Sequence, residues 1–188
     1  MDKDLEQMRW KVLSSEYINN EPWLVTRRDV CELPNGNIMQ AYYVYEFPTW
    51  VSAFALTKNN EVVLVKQYRH ALGAISIETP GGVVDKGEKL TDAIKREVLE
   101  ETGYVFETTE YLGKVSPNPA TNNNLMYMYL LTGGEKVAEQ NLDHTEDLQV
   151  LLLTIDEVKQ LLRENKIIQA LHTTCMFYAL NKLGEMQY

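Results

Sequence analysis

The sequence predicts an α+β fold in which helices cover a mixed β-sheet, and three features of the chain indicate it. Short runs of β-forming residues, separated by turn signals, fill the first half. Helical patterns are few and come later in the chain. The run Glu61-Val62-Val63-Leu64-Val65 is almost continuously apolar, as expected for a strand buried on both faces. Strands mixed with few helices favour layers packed around one sheet.

The first half contains two predicted hairpins. Trp23–Cys31 and Ile38–Phe47 are runs with β-forming residues, and a turn sequence at residues 34–37 joins them. Val51–Thr57 and Glu61–Tyr68 flank a second turn. Further strands are predicted at Tyr111–Val115, Leu125–Leu131 and Leu148–Leu153.

The predicted helices lie in the second half of the chain. The first covers about Lys89–Thr102, with Gly103 at its C-cap. The segment Thr154-Ile155-Asp156-Glu157 has capping-box spacing and predicts a short helix through about residue 164. A last helix is predicted at about Ile167–Leu183.

The composition argues against two classes of partner. The 188 residues carry a formal net charge of −9, and nucleic-acid binding depends on Lys and Arg that neutralise phosphates. The apolar runs are strand-sized, and the first residues contain acids rather than an apolar signal sequence. Cys31 and Cys175 lie far apart, without metal-ligand spacing. We therefore expect a cytoplasmic protein that binds neither nucleic acid nor membrane.

An acidic cluster lies at the end of the first predicted helix. Glu97 and Glu101 are four residues apart and share one helix face, and Glu100 lies one position off that face. For an isolated pair of glutamates, a solvated acidic surface is the ordinary explanation. The alternative is a divalent cation that compensates the repulsion, and carboxylates together with phosphate oxygens suit Mg²⁺.

One sequence pattern surrounds this cluster and decides between the two explanations. The chain matches Gly-x5-Glu-x7-Arg-Glu-U-x-Glu-Glu-x-Gly-U, in which U is apolar, at Gly82, Glu88, Arg96, Glu97, Glu100, Glu101 and Gly103. At average residue usage, such a match has odds on the order of 10⁻⁸ per starting position. The pattern is the Nudix box, and the chain resembles the Nudix hydrolase family. Tyr104 departs from it, since an aliphatic residue is usual there.

The resemblance implies a fold, a metal site and a structural role for part of the box. The fold would be the Nudix α/β/α sandwich around a mixed β-sheet, with an N-terminal antiparallel strand extension. The implied ligands of Mg²⁺, or of Mn²⁺ in its place, are Glu97, Glu100, Glu101 and the backbone carbonyl of Gly81. Arg96 would pair with Glu88 and, with Gly82 and Gly103, hold the loop and helix in shape.

Segments outside the box resemble the ADP-ribose pyrophosphatase branch of the family. Gln67-Tyr68-Arg69 ends a predicted buried strand, and Ile77–Gly82 leads into the box. Pro119 follows at about the distance at which that branch carries a proline, and residues 143–150 resemble its acidic loop and next strand. The implied reaction is hydrolysis of the diphosphate bond in a nucleoside diphosphate sugar, with ADP-ribose foremost, to a nucleoside monophosphate and a sugar phosphate.

The chain departs from that branch at the residues that would supply the general base. Pro119–Asn124 contains no acid where the branch usually has a glutamate, and His144 stands where a further glutamate is expected. Glu146 is the first candidate for the base, and His144, which can act as a base near neutral pH or be a plain surface residue, is the second. We expect Glu100 to be a catalytic residue as well as a metal ligand. These departures keep another sugar nucleotide, such as a GDP- or ADP-hexose, open as the substrate.

Four residues are candidates for substrate contact. Arg69 lies at a strand end, where its guanidinium would reach the diphosphate; the alternative is a surface arginine paired to a nearby acid. Glu78 would either bind the ribose or serve as the structural partner of a basic residue. Trp23 and Trp50 are candidates for stacking on the base, with core or dimer packing as the alternative.

The resemblance also implies a homodimer, formed through the N-terminal strands. We expect residues 1–47 to form this extension and residues 48–188 to form the hydrolase domain. Two other functions stay open. One is a Nudix hydrolase of another substrate, such as a dinucleoside polyphosphate. The other is a non-catalytic sensor of nucleotide sugars, against which the intact box argues.

Overall fold

The computed structural model of the protein describes residues 5–186. Their contacts divide the chain into two compact units. The first unit contains the described residues up to Pro48 together with Asn118–Asn124, and the second contains Thr49–Pro117 and residues 125–186.

The first unit is a three-stranded antiparallel sheet. Its strands are β1 (Lys11–Glu21), β2 (Leu24–Glu32) and β3 (Ile38–Glu46), in the order β1-β2-β3. Strands β2 and β3 lie where the first hairpin is predicted. Strand β1 has no counterpart among the predicted strands because it is largely polar and exposed, so its sequence lacks the apolar alternation of a half-buried strand. It is formed by pairing with β2 in a hairpin, from Glu21 opposite Leu24 to Lys11 opposite Glu32.

The second unit contains the other strands and three helices. The strands are β4 (Trp50–Thr57), β5 (Glu61–Arg69), β6 (Ala74–Glu78), β7 (Tyr104–Val105), β8 (Thr108–Val115), β9 (Met126–Lys136) and β10 (Leu148–Thr154). The helices are α1 (Leu90–Thr102), α2 (Ile155–Arg163) and α3 (Ala170–Lys182). The strand order is β10-β5-β4-β9-β7, with β6 on β5 and β8 on β9. The β4–β9 pairing is parallel and the others are antiparallel, so the predicted mixed sheet is confirmed.

Both faces of this sheet are buried. On one face, residues such as Phe54 and Leu64 pack with α2 and α3, and on the other, Val63 and Leu131 pack with α1. Burying a side chain of this size stabilises the fold by about 1.5–3 kcal/mol. The predicted burial of β5 on both faces is therefore confirmed, and the layers form an α/β/α sandwich.

The helix boundaries agree with the sequence where a capping signal exists. Gly103 has φ 76° and caps α1, and Thr154 and Glu157 form both hydrogen bonds of the predicted capping box. The last helix begins at Ala170, three residues later than expected, because Ile167 lies buried in the core as part of the preceding loop. Within residues 5–186, no helix is both long and apolar enough to cross a membrane.

Candidate active site

A glycine loop, residues 80–84, runs beside the first part of β4. Strand β5 pairs with β4 only near the end of β4, and the glycine loop takes the neighbouring place along the rest of the strand. The backbone N–H of Val51 donates to the carbonyl oxygen of Gly82 at 2.9 Å. Gly81 has φ 149°, and a Cβ there would lie 2.2 Å from the carbonyl oxygen of Val51. Only glycine fits this position.

Helix α1 places two of the predicted metal ligands against the glycine loop. The N–H of Gly81 donates to Oε2 of Glu101 at 2.9 Å. A Cβ at Gly82 would lie 2.5 Å from Oε2 of Glu97, so this carboxylate touches the loop backbone. The spacing of four residues puts both carboxylates on the face of α1 that meets the loop.

Arg96 holds the outer part of the box together. Its Nε and Nη2 donate to the two carboxylate oxygens of Glu88, each at 2.9 Å, so the predicted Arg96–Glu88 pair is present. Its Nη1 donates to Glu97 at 2.9 Å and to Glu100 at 3.1 Å, and Nη2 also donates to the carbonyl oxygen of Val83. The guanidinium thus compensates part of the negative charge of the box.

Glu101 lacks such compensation. Burial raises the pKa of its carboxyl to about 8, and the charges of Glu97, Glu146 and Glu78 act in the same direction. The hydrogen bond from the Gly81 N–H opposes the shift without cancelling it. A buried carboxylate surrounded by other carboxylates is stabilised in its charged form by a cation.

The donor set fits a divalent metal in chemistry and charge. Carboxylate oxygens are the ligands that Mg²⁺ and Mn²⁺ prefer, and Glu97 and Glu101 converge on the glycine loop. Glu100 is turned to Arg96 instead. Among residues 5–186, no group of three His, Cys, Asp or Glu side chains is arranged so that it could hold a metal ion without side-chain movement.

Arg69 and Glu78 form an ion pair at the ends of β5 and β6. The Nε and Nη2 of Arg69 donate to Oε1 and Oε2 of Glu78 at 2.9 Å and 2.6 Å. The two residues lie on the same face of the sheet, since Val65 pairs with Glu78 and Arg69 pairs with Ala74. The Glu78 side chain is 2% exposed and that of Arg69 is 48% exposed. About half of the Arg69 side chain is therefore open to solvent, whereas Glu78 is enclosed.

Two further side chains contact the carboxylate of Glu78. Its Oε2 accepts from Nε2 of Gln67 and lies 3.2 Å from Nε2 of His172 on helix α3. Burial alone would raise the pKa of Glu78, but hydrogen bonds from Arg69 and His172 outweigh it and hold the pKa of this carboxyl well below its usual range. Glu78 thus pairs with a basic residue, as one of its two predicted roles requires, and contact with the ribose stays a prediction.

The two candidate bases lie in the loop before β10. Glu146 accepts from the backbone N–H of Asp143 at 3.1 Å and is exposed. Its charge acts on the pKa values of Glu97 and Glu101 and on that of Arg69, which places it in the electrostatic field of the site. His144 is exposed in the same loop.

Comparison with known proteins is consistent with this geometry. The family model described as the NUDIX domain matches residues 47–172, which is most of the chain. The chain belongs to the Nudix family. It is a hydrolase of the class that acts on diphosphate bonds. A second model, the nucleoside diphosphate sugar hydrolase N-terminal domain, matches residues 10–45.

Individual relatives resemble this Nudix chain along most of its length. The methanol dehydrogenase activator of Bacillus methanolicus is 32% identical over 84% of this chain and 85% of its own length. The ADP-ribose pyrophosphatase of Bacillus subtilis is 26% identical over 89% of each chain. The crystal structure of an ADP compounds hydrolase has the same fold, with a TM-score of 0.82 and 19% identity over 95% of this chain and 97% of that chain.

The two tryptophans predicted to contact substrate belong to different units. Trp23 lies at the tip of the β1–β2 hairpin, is 74% exposed and has φ 67°, a conformation that bulky residues rarely adopt. Trp50 begins β4 in the other unit, forms a bridge with Val83 and packs against the core. His172, which is not among the predicted site residues, contacts Glu78 from helix α3.

Proposed function

We propose that this Nudix hydrolase cleaves the diphosphate bond of a nucleoside diphosphate sugar in a Mg²⁺-dependent reaction, with ADP-ribose as the first candidate substrate. The observation that carries the proposal is the buried, uncompensated Glu101 carboxylate beside the glycine loop. The resemblance to proteins named ADP-ribose pyrophosphatase supports the choice of substrate. The products are a nucleoside monophosphate and a sugar phosphate.

The metal is held by the carboxylates of the Nudix box. Glu97 and Glu101 are its first ligands, because both touch the glycine loop. Glu100, which contacts Arg96 in this structure, and the backbone carbonyl of Gly81 would be the remaining ligands. Bound there, Mg²⁺ or Mn²⁺ neutralises charge on the diphosphate and lowers the pKa of the attacking water.

The remaining residues bind the substrate and move a proton. The outer edge of the Arg69 guanidinium binds diphosphate oxygens, since its inner edge is occupied by Glu78. Glu146 accepts the proton as the water oxygen bonds to phosphorus, and His144 is the second candidate for this role. The bridging P–O bond breaks, and its oxygen leaves on the other product as a phosphate monoester.

The N-terminal segment, residues 1–47, forms the contact of a homodimer in this proposal. Its match to the nucleoside diphosphate sugar hydrolase N-terminal domain supports it. So does a set of exposed large apolar residues on its sheet, namely Val12, Leu13, Tyr17, Ile18, Leu24, Ile38 and Met39. Trp23 and Trp50 are proposed to contact the nucleobase, and the protein is proposed to act in the cytoplasm.

Product analysis tests the proposed reaction. The purified protein is incubated with Mg²⁺ and, in turn, ADP-ribose, ADP- and GDP-hexoses and dinucleoside polyphosphates. We expect a nucleoside monophosphate and a sugar phosphate from one sugar nucleotide. Glu101→Gln should lower kcat by about a hundred- to a thousandfold, the scale at which one group that stabilises transition-state charge acts. Glu139→Gln, at a side chain that is 90% exposed, is the matched control and should keep full activity.

The assay also separates this proposal from a sensor. Tight binding of a sugar nucleotide, without turnover at any pH with Mg²⁺ or Mn²⁺, would contradict hydrolysis. Turnover of dinucleoside polyphosphates alone would keep the hydrolase and replace the substrate class.

The 32% identical methanol dehydrogenase activator suggests a second candidate function. The chain would then increase the activity of an alcohol-oxidising dehydrogenase. Adding the wild-type protein and Glu101→Gln to a methanol dehydrogenase assay tests it. Activation by the wild type alone ties this function to the Nudix site, and no activation by either protein contradicts it.

A further inference from the structure

We infer that His172 is a positioning residue, which acts through Glu78 to fix the orientation of Arg69 toward the substrate. The inference rests on the proposed function, because Arg69 is the residue assigned to the diphosphate. His172 lies outside the Nudix box, on helix α3, and is 8% exposed.

The two ring nitrogens of His172 contact different parts of the site. Nε2 lies 3.2 Å from Oε2 of Glu78. The same carboxylate accepts hydrogen bonds from Nε and Nη2 of Arg69. Nδ1 lies 2.8 Å from Oγ1 of Thr79, which in turn lies 2.6 Å from Oγ of Ser52. The Ser52 hydroxyl also lies 3.4 Å and 3.3 Å from the backbone carbonyl oxygens of Thr79 and Pro80, either of which can accept its single proton. A continuous polar chain therefore connects Arg69 to the start of the glycine loop.

The direction of these hydrogen bonds follows from the chemistry of each group. A carboxylate can only accept, so Nε2 of His172 carries a proton and donates to Glu78. Nδ1 then contacts a hydroxyl, which donates or accepts as required. Thr79 and Ser52 thus fix the ring so that Nε2 faces Glu78.

This contact controls Arg69 because of where Glu78 lies. The carboxylate is buried, and Gln67 and His172 hold the oxygen that also accepts from Nη2 of Arg69. Arg69 is half-exposed, so its own packing leaves the guanidinium freedom to turn. When the Glu78 carboxylate is fixed, its two hydrogen bonds with Arg69 limit the rotation of the guanidinium. The N–H groups that do not contact Glu78 then keep one position. Loss of the His172 donor would allow Glu78 and Arg69 to shift together.

Two amide variants test this role, because each replaces one ring nitrogen. The amide nitrogen of Gln corresponds to Nε2 and can still donate to Glu78, whereas that of Asn corresponds to Nδ1 and cannot. We expect His172→Asn and His172→Phe to raise the KM for the sugar nucleotide by about tenfold, the size expected for a lost hydrogen bond to a charged group. The KM of His172→Gln should stay within about twofold of the wild-type value.

A structural role alone predicts a different pattern. All three variants would then lower the thermal midpoint and leave KM unchanged in the protein that stays folded, and this result would overturn the inference. A KM that rises equally for His172→Gln and His172→Asn would overturn it as well, since the Nε2 contact would then be irrelevant. In an Arg69→Met background, His172→Asn should cause no further rise in KM.

A spectroscopic readout does not depend on turnover. The Nε–H of Arg69 is held on Glu78, so its ¹⁵N-correlated signal should be sharp and slow to exchange in the wild type and in His172→Gln. It should broaden in His172→Asn, and an unchanged signal there would overturn the inference. Absence of hydrolysis by the wild type would instead contradict the proposed function, so the two failures are distinguishable.

Discussion

Glu78 and Glu101 are both almost fully buried, with 1% and 6% of their surface exposed, and burial affects them in opposite ways. Glu78 is held by Arg69 and His172, and its pKa lies below the usual range. Among residues 5–186, the Glu101 carboxyl accepts one hydrogen bond, from the backbone N–H of Gly81. Its pKa is raised to about 8 by burial and by neighbouring carboxylates. One half of the site is electrostatically complete within the chain. We propose that a bound cation completes the other half.

This difference explains how one small site treats two kinds of charge. In the proposed function, the guanidinium of Arg69 in the Glu78 half binds an anionic substrate. The carboxylates of the Glu101 half bind a metal. Each half attracts what the other repels, which suits a diphosphate that is bound together with its metal ion.

The largest stability effect is expected from removing the partner of Glu78. Arg69→Met leaves the buried carboxylate with His172 and Gln67 only, and should destabilise the protein by about 3 kcal/mol at neutral pH. Because the folded-state pKa of Glu78 is depressed, the stability it contributes is present above its ordinary pKa of 4.5 and is lost as the pH falls below that value. The difference from the wild type should therefore shrink in acid, as measured by urea unfolding at pH 7 and below pH 4.

Arg28→Met is the control for that experiment. Arg28 pairs with Glu16 where both side chains are about half exposed or more, so its loss should cost less than about 1 kcal/mol. If Arg69→Met and Arg28→Met lowered the free energy of unfolding equally, burial of Glu78 would not make its ion pair more stabilising than an exposed one.

Metal binding should stabilise the Glu101 half. At a Mg²⁺ concentration about one hundred times the Kd, the free energy of unfolding should rise by about 2.7 kcal/mol. Glu101→Gln should remove most of this gain, whereas Glu78→Gln should retain it. Thermal unfolding of each variant, with Mg²⁺ and with a chelator, measures the stabilisation by the metal. A gain that survives in Glu101→Gln would place the metal elsewhere.

The smallest effect concerns the metal-free protein. Between pH 4.5 and about 8, the folded chain keeps a proton on Glu101 that the unfolded chain has released, so stability falls as the pH rises through this window. With chelator present, Glu101→Gln should be more stable than the wild type by about 1–2 kcal/mol at pH 8. The advantage should vanish near pH 5. If Glu101→Gln were less stable than the wild type at pH 8, this would contradict a buried Glu101 carboxyl without a compensating positive charge.

The two halves also differ in how far the sequence predicts them. Glu97, Arg96 and Glu101 lie on one helix and Glu88 lies just before it, so fixed helical spacing and the box pattern predict their contacts. The mixed sheet and its doubly buried strand β5 follow in the same way from local apolar patterning. Local signals suffice here because the interacting residues are close in the chain.

The contacts of Glu78 depend on tertiary structure. His172 and Thr79 are 93 residues apart, and no local pattern connects them. His172 lies in an apolar helix, where a packed histidine is the ordinary expectation, and only the packing of α3 against the sheet reveals its second role. Strand β1 was missed for a related reason, since its partner β2 rather than its own sequence makes it a strand.

Direct titration of the two carboxyl groups tests the central claim, that one half of the site is complete and the other awaits a cation. Carboxyl ¹³C shifts of Glu78 and Glu101, assigned with Glu78→Gln and Glu101→Gln, are followed against pH with and without Mg²⁺. We predict that Glu78 stays ionised to below pH 4 in both conditions. Glu101 should titrate near pH 8 in the metal-free protein and should stay ionised at neutral pH when Mg²⁺ is bound. Titration of Glu101 near pH 4.5 without metal, or a curve that Mg²⁺ does not move, would contradict the claim.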